Sequence, residues 1–360
     1  MNFYMQRITI LLIFIALVIA GCSSDESDAS KSGSNKNDNA KASKAKGKTI
    51  SIGWVYAMAN APVLIADKKG YFKEQGINVK LYDYTSGPRV RQGLKSGKLD
   101  MAFIGAPPVY HWYSRGLDSK IIAKVNYGQA SVLVRSDSGI DDVSGLKGKK
   151  LAGVRTGSGM DVLLRGYVLR EKAKLDPNKD LDVRPMKPGN MGTAVENKVV
   201  SGAFVWEPFT SKYLLRGNTK IILDINKEIP QYPWYVVMAM PKAMKNKRPE
   251  IVKVLKAHIK AVKFLNSSPT AGNNIITEAF DLREVVDKSG NKHSPEKILS
   301  MARTRLGWQA ELTATDIAFV QRLMNYSREL GYIQKDLKAS ELIDNSFMDE
   351  AIGSDTTVSK

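Results

Sequence analysis

At 360 residues, with 43% apolar and 25% charged residues, the chain is long enough for two globular lobes and has the composition of an ordinary folded protein. Its formal charge of +18 admits nucleic acid or acidic envelope polymers as partners. The basic residues are scattered, with Lys242 to Arg248 the densest run, which favours a solvated surface over a nucleic-acid groove. Cys22 is the single cysteine and excludes disulfides and cysteine-based metal centres within the chain.

Arg7 precedes an apolar run, Ile8 to Ala20, that ends in Gly21-Cys22. This is the layout of a secretory signal and is too short to span a bilayer comfortably. "LVIAGC" resembles the lipobox of bacterial lipoproteins, which implies that residues 1–21 are a signal peptide and that Cys22 is acylated. Residues 22–48 are poor in apolar side chains and are expected to form a flexible tether, about 25–30 Å end to end. The expected location is the extracytoplasmic face of the cell membrane, lipid-anchored.

From Thr49 the pattern alternates. "TISIGW" reads as a strand, "APVLIADKKGYF" as a helix closed by Gly70, "INVKLYDY" as a strand and "PRVRQGLKSG" as a helix opened by Pro88. "MAFIG" (Met101–Gly105) reads as a buried strand, followed by a helix from Pro107 to about Arg115 and the strand "KIIAKV". The alternation restarts with "KKLAGV", an amphipathic helix over "SGMDVLLRGYVLREKA", the strand "LDVRPM", a helix over "PGNMGTAVENKVVSG" and the strand "GAFVW". A helix at 210–215 and the strand "KIILDI" complete it. This order predicts an α/β fold of two lobes, each a mostly parallel sheet flanked by helices. "ASVLVRSDSGIDD" and "INKEIPQYPWYVVMAM" are the candidate crossovers. Beyond Pro249 the chain turns helical, and Ile251, Leu255, Ile259 and Val262 form a core-facing stripe with His258 beside it.

Ligands of open α/β sheets sit beyond the carboxyl ends of the strands, where helix amino termini offer free amides. Four turns fit that role: Ser86-Gly87, Gly105-Ala106, Thr156-Gly157-Ser158-Gly159 and Gly189-Asn190. Glycine admits close backbone approach and Ser or Thr adds a hydroxyl, so such corners suit an oxyanion. Helix capping explains Ser86 or Ser158 equally well. "TGSG" lacks the third glycine of a dinucleotide fingerprint, no Gly-Lys-Ser/Thr phosphate loop occurs, and metal-ligand spacings are missing. His111 and His293 have no visible acidic or nucleophilic partner. The expectation is a binding cleft without a metal, a cofactor or catalytic residues.

"APVLIADKKGYFKEQGINVKL", "SGKLDMAFIGAPPV", "VRSDSGIDDVSGLKGKKLAG" and "VSGAFVWEPF" together resemble the nitrate/sulfonate/taurine-type periplasmic-binding-protein family, the receptors of ABC importers. The resemblance implies a two-lobed type II periplasmic-binding-protein fold with two crossover strands and a helical C-terminus. Lobe one would span 49–135 and 235–345, lobe two 136–234, and a tail 346–360. It implies cleft-lining roles for Ser86, Gly87, Gly105, Ala106, Pro107, Thr156, Gly157 and Ser158, and ligand-facing side chains at Asn126, Tyr127 and Gln129. Trp206 and Glu207 would form the far wall, with Glu207 accepting from a ligand amine. Trp54, Tyr56, Asn60 and Asn190 are further candidates. Ser201 stands where the family commonly has Asp, and the "TGSGMD" turn is unusual for it.

The implied function is delivery of a small anionic organic solute, an aliphatic sulfonate or taurine-like compound, to a membrane permease and its ATPase. The expected receptor is monomeric, performs no chemistry and has no nucleic-acid partner. A thiamine-pyrimidine precursor or another heterocycle is the alternative cargo. The related pyrimidine synthases use a cysteine-rich iron site, for which Cys22 alone is insufficient.

Overall fold

The computed structural model describes residues 48–84 and 87–353. The expected signal peptide, Cys22, the tether up to Gly47 and Ser86 lie outside them. Among the described residues no helix is long and apolar enough to cross a membrane.

Fourteen strands are formed among the described residues. They are β1 (Ile50–Val55), β2 (Val79–Tyr84), β3 (Met101–Gly105), β4 (Lys120–Lys124), β5 (Asn126–Gly128), β6 (Ala130–Arg135) and β7 (Lys150–Gly153). They continue as β8 (Asp182–Pro185), β9 (Gly202–Trp206), β10 (Thr219–Asp224), β11 (Tyr235–Ala239), β12 (Val285–Val286), β13 (Lys292–His293) and β14 (Leu306–Trp308). Two five-stranded sheets result, ordered β2-β1-β3-β11-β4 and β8-β7-β9-β6-β10. In each, four strands run one way and the fourth in order runs against them. That reversed strand is the one delivered by a crossover: β6 is the first strand to enter lobe two, and β11 the first to return. The two lobes therefore share one topology.

β6 pairs with β9 and β10, so lobe two begins near Ala130 and not at the expected residue 136. The apolar run "ASVLV" looks the same whichever sheet it joins, and only the pairing assigns it. The expected first helix breaks into Ala61–Lys68 and Tyr71–Glu74, because Gly70 turns left-handed (φ 73°) between them. The expected tail instead contains a helix, Ser346–Gly353, that buries Phe347 and Met348 on lobe one. The helix after "TGSG" is α-helical over Gly159–Val162 and continues as a π-helix over Leu163–Lys172.

The long helix Arg248–Ser267 covers the back of lobe one. Ile259 stands at the edge of its buried stripe, and the adjacent His258 is fully buried there. His258 Nε2 lies 2.8 Å from the Lys124 carbonyl, and its ring meets Phe103 edge-on. The helix Ala314–Glu329 packs on both lobes, helped by a Thr313–Asp316 capping box. On lobe one, Tyr110 donates to the Leu323 carbonyl at 3.0 Å and His111 Nε2 lies 2.9 Å from Ser327 Oγ. On lobe two, Arg322 and Tyr326 both engage Glu171, and Tyr326 lies flat against Gly166. His111 thus has a partner, as does His293, 3.2 Å from Asp287. Ser327 comes from a distant helix and was out of reach of sequence spacing, whereas Asp287 lies only six residues before His293, across the β12–β13 hairpin.

Gly128 has φ +71°, and a Cβ there would collide with the Arg305 carbonyl oxygen. Gly128→Ala should lower unfolding stability by about 2–3 kcal/mol, measured by urea denaturation. Burial holds His111 and His258 near pKa 4, well below the ordinary value of 6.5. The folded form therefore disfavours the protonated ring. The stability this contributes is complete above about pH 6.5 and is lost as pH falls toward 4. The melting temperature should fall across that interval, and His258→Gln should flatten the dependence.

Candidate functional site

The carboxyl ends of the strands of both lobes bring two of the expected corners together, the one at Gly105-Ala106 and the one that ends in Gly159. At the end of β3, the Ala106 amide donates to the Trp234 carbonyl at 3.2 Å, so Gly105 and Ala106 are tied to the second crossover. Gly87 lies above them; a Cβ there would stand 4.0 Å from Pro108 Cγ. From lobe two, Gly159 meets the same place: its Cβ would lie 3.3 Å from Trp234 Cη2 and 3.4 Å from Pro107. Gly159 at the end of the lobe-two turn thus packs directly on Pro107 of lobe one and on the rim of the Trp234 indole, whose backbone carbonyl holds Ala106. Trp234 carries no motif in the sequence, and only its position just before β11 hints at the role.

The lobe-two corner is held from beneath. Asp161, fully buried, accepts from the Gly157 amide at 2.8 Å and from Tyr332 Oη at 2.6 Å, and pairs with Arg165 at 2.8 Å. Ser158 Oγ accepts from the Asp161 amide at 3.3 Å, which is the capping role. Thr156 is exposed, and Gly157, at φ +77°, has open space where a Cβ would stand. His111 borders this turn. Burial and the charge of Arg115 depress its pKa, while the Gly157 backbone opposes them.

Other expected site residues are placed elsewhere. Asn60 is buried under the strand ends, its amide donating to the Val55 and Phe103 carbonyls at 2.8 and 3.3 Å. Asn126 is fully buried and spends its side-chain oxygen on the Tyr235 amide at 2.9 Å. Gln129 is buried in the crossover with φ 106°, and Tyr127 lies across Gly307 on the β5–β14 ribbon. Trp54 is buried and packs on the exposed Tyr56, which continues onto Phe280. Asn190 is exposed, next to Gly189, which lines a separate groove of about 320 Å³ with Phe209, Lys212 and Val286. Trp206 is half-buried, edge-on to Phe209.

Glu207 corrects the expectation that it accepts from a ligand. It is 1% exposed, its Oε1 is 2.6 Å from Arg305 Nε, and its Oε2 accepts from the Ser211 amide at 3.1 Å. Arg305 also donates to Ser211 Oγ at 2.9 Å. Burial pushes the Glu207 carboxyl up, and the Arg305 guanidinium beside it pulls it back down. The strand-end "WEP" motif is therefore part of a buried contact, joined to a residue nearly a hundred positions away that local sequence does not reveal. Among the described residues no cluster of His, Cys, Asp and Glu is arranged to hold a metal ion.

Comparison with known proteins agrees with this architecture. A Bacillus subtilis (strain 168) protein named for binding aliphatic sulfonates is 28% identical over 355 residues, covering 97% of each chain. A Saccharomyces cerevisiae 4-amino-5-hydroxymethyl-2-methylpyrimidine phosphate synthase is 32% identical over 105 residues, 29% of this chain and 31% of that protein. The crystal structure of the periplasmic aliphatic sulphonate binding protein SsuA from Escherichia coli superposes with a TM-score of 0.69 at 20% identity. That match covers 82% of this chain and 92% of SsuA, and it shows the periplasmic-binding-protein fold. The model of the NMT1-like family matches residues 43–279, and the chain belongs to that family.

Proposed function

We propose that the protein is the extracytoplasmic, lipid-anchored receptor of an ABC importer, and that it captures a small anionic organic solute by closing its two lobes. Aliphatic sulfonates and taurine-like compounds are the solutes of choice. The observation that carries this reading is the packing of Gly159 on Pro107 and on the rim of Trp234, whose carbonyl holds Ala106. Each corner lies where a strand ends; the Ala106 and Gly157 amides there are held by Trp234 and Asp161, and the Thr156 and Ser158 hydroxyls are the neutral donors left for a solute. A sulfonate has three oxygens to share among such neutral donors, so closure can satisfy it from both sides without a full countercharge. The ligand then adds contacts present only in the closed state, which shifts the population toward it.

The full-length similarity to a protein named for aliphatic sulfonates supports the cargo class. The synthase likeness covers under a third of the chain, so the reading is a carrier that leaves its solute unchanged. Ser86, Gly87, Thr156 and Ser158 are assigned to the anion, with Ala106 and Gly157 shaping the corners, and Trp206 to the organic part of the solute. Cys22 is the acylated anchor, and a permease with its ATPase receives the closed form.

Thermal-shift titration of the protein against ethanesulfonate, taurine, nitrate and a hydroxymethylpyrimidine tests this. A cognate sulfonate at a hundredfold over its Kd should add about 2.7 kcal/mol of stability. Stabilisation by the pyrimidine alone would transfer the reading to heterocycle transport, and stabilisation by none of the panel would sink both. Thr156→Val removes one hydroxyl donor and should weaken sulfonate binding roughly tenfold by calorimetry, with the melting temperature of the free protein unchanged.

A further inference from the structure

We propose that the pole of lobe one opposite the cleft is a docking surface for an anionic lipid bilayer. The proposal draws on the reading of Cys22 as a lipid anchor for the nearness of a membrane, and on the following placement for the surface itself. Lys48, the first described residue, donates to the Asn246 carbonyl at 2.7 Å, and Lys247 donates to the Thr49 carbonyl at 2.9 Å. The described chain therefore begins beside the helix Pro241–Asn246 and the densest basic run of the sequence.

Only part of the positive charge there is neutralised. Between Pro241 and Lys256 the chain carries six Lys and Arg residues against one acid, Glu250. Asp100 is taken up by Lys247 at 2.8 Å and Glu350 by Arg248 at 2.8 Å. Lys48, Lys242 and Lys245 are exposed, and none has an acidic partner among the described residues. Strand direction sets where this face points. β1 and β3 begin at this pole and end at the cleft, while β11 begins beside Gly105 and ends beside Met101, just ahead of the helix. A six-residue strand spans about 20 Å, so the pole and the solute corners are separated by the length of the strands.

Lysine ammonium groups on flexible stems are point charges that suit a diffuse array of headgroups rather than one fitted ligand. Each contributes about 1 kcal/mol near an anionic leaflet, within a Debye length of about 8 Å at physiological salt. A globule resting on this pole keeps its cleft toward the solution from which solute arrives.

Sedimentation of the full chain, carrying Cys22→Ala, with phosphatidylglycerol-containing vesicles and with pure phosphatidylcholine vesicles tests the proposal. The readout is the ratio of the two partition coefficients, in which any affinity of the apolar N-terminal run for bilayers cancels. Lys48→Gln/Lys242→Gln/Lys245→Gln should lower that ratio about a hundredfold. Lys149→Gln/Lys198→Gln/Lys227→Gln, exposed lysines of lobe two and its crossover, should leave it nearly unchanged. An equal fall in both triple variants, or no fall in the first, overturns the assignment. Sulfonate-induced stabilisation of the first variant is read separately, so failure of the solute reading and failure of the docking face are distinguishable.

Discussion

The buried pair of Glu207 and Arg305 is the constraint around which the rest of the molecule is arranged. Glu207 ends a central strand of lobe two, and Arg305 lies between the helix Pro295–Ala302 and β14, in the chain that has returned to lobe one. A carboxylate taken out of water is costly unless it is paired and hydrogen-bonded, and here one oxygen meets the guanidinium while the other meets the Ser211 amide. The Arg305 carbonyl in turn accepts from the Gln129 amide at 2.8 Å, and the Gln129 carbonyl accepts from the Glu207 amide at 3.1 Å. The first crossover is thereby clamped between the two partners. Gly128 is required because nothing larger fits over the Arg305 carbonyl.

With the crossover clamped this way, the identical strand order of the two lobes acquires a mechanical meaning. Each sheet receives its reversed strand from the other lobe, so both crossovers enter as integral strands. A loose linker would let the lobes tumble. Crossovers that enter each sheet as a paired strand tie the lobes together beside the segment that holds Glu207, Gln129 and Arg305. The helix Ala314–Glu329 adds a second restraint, because it is bonded to lobe one through Tyr110 and His111 and to lobe two through Tyr326 and Arg322. A second buried ion pair, Lys124 with Asp316 at 2.7 Å, fastens its amino end to β4.

Much of the fold was legible because its signals are local. The β3 run "MAFIG" is buried at every position, and the Pro-started helix after it follows from fixed proline torsion and a missing amide. The glycine corners were legible for the same reason: a strand, a tight turn and a helix start leave a mark within ten residues. Glu207 shows where this kind of reading ends. An acid beside a Trp at a strand end looks the same whether it faces a solute or an arginine, and the arginine is supplied by tertiary contact. Asn126 and Asn60 fail likewise, since their amides satisfy backbone groups that the crossover and the strand ends leave open. Trp234, which stands between the lobes, carries no pattern at all.

What the sequence determined by itself is the alternation of strands and helices, the division into two α/β lobes and the glycine-bearing turns, because each depends on side-chain period and backbone freedom over a few neighbouring residues. Tertiary structure alone decided that β6 belongs to lobe two, that His111 meets Ser327, that Glu207 turns inward to Arg305 and that the basic run lies beside Lys48 and Thr49. Those outcomes depend on burial and pairing between residues tens to hundreds of positions apart, and the free energy of such pairs exists only once the chain has brought them together.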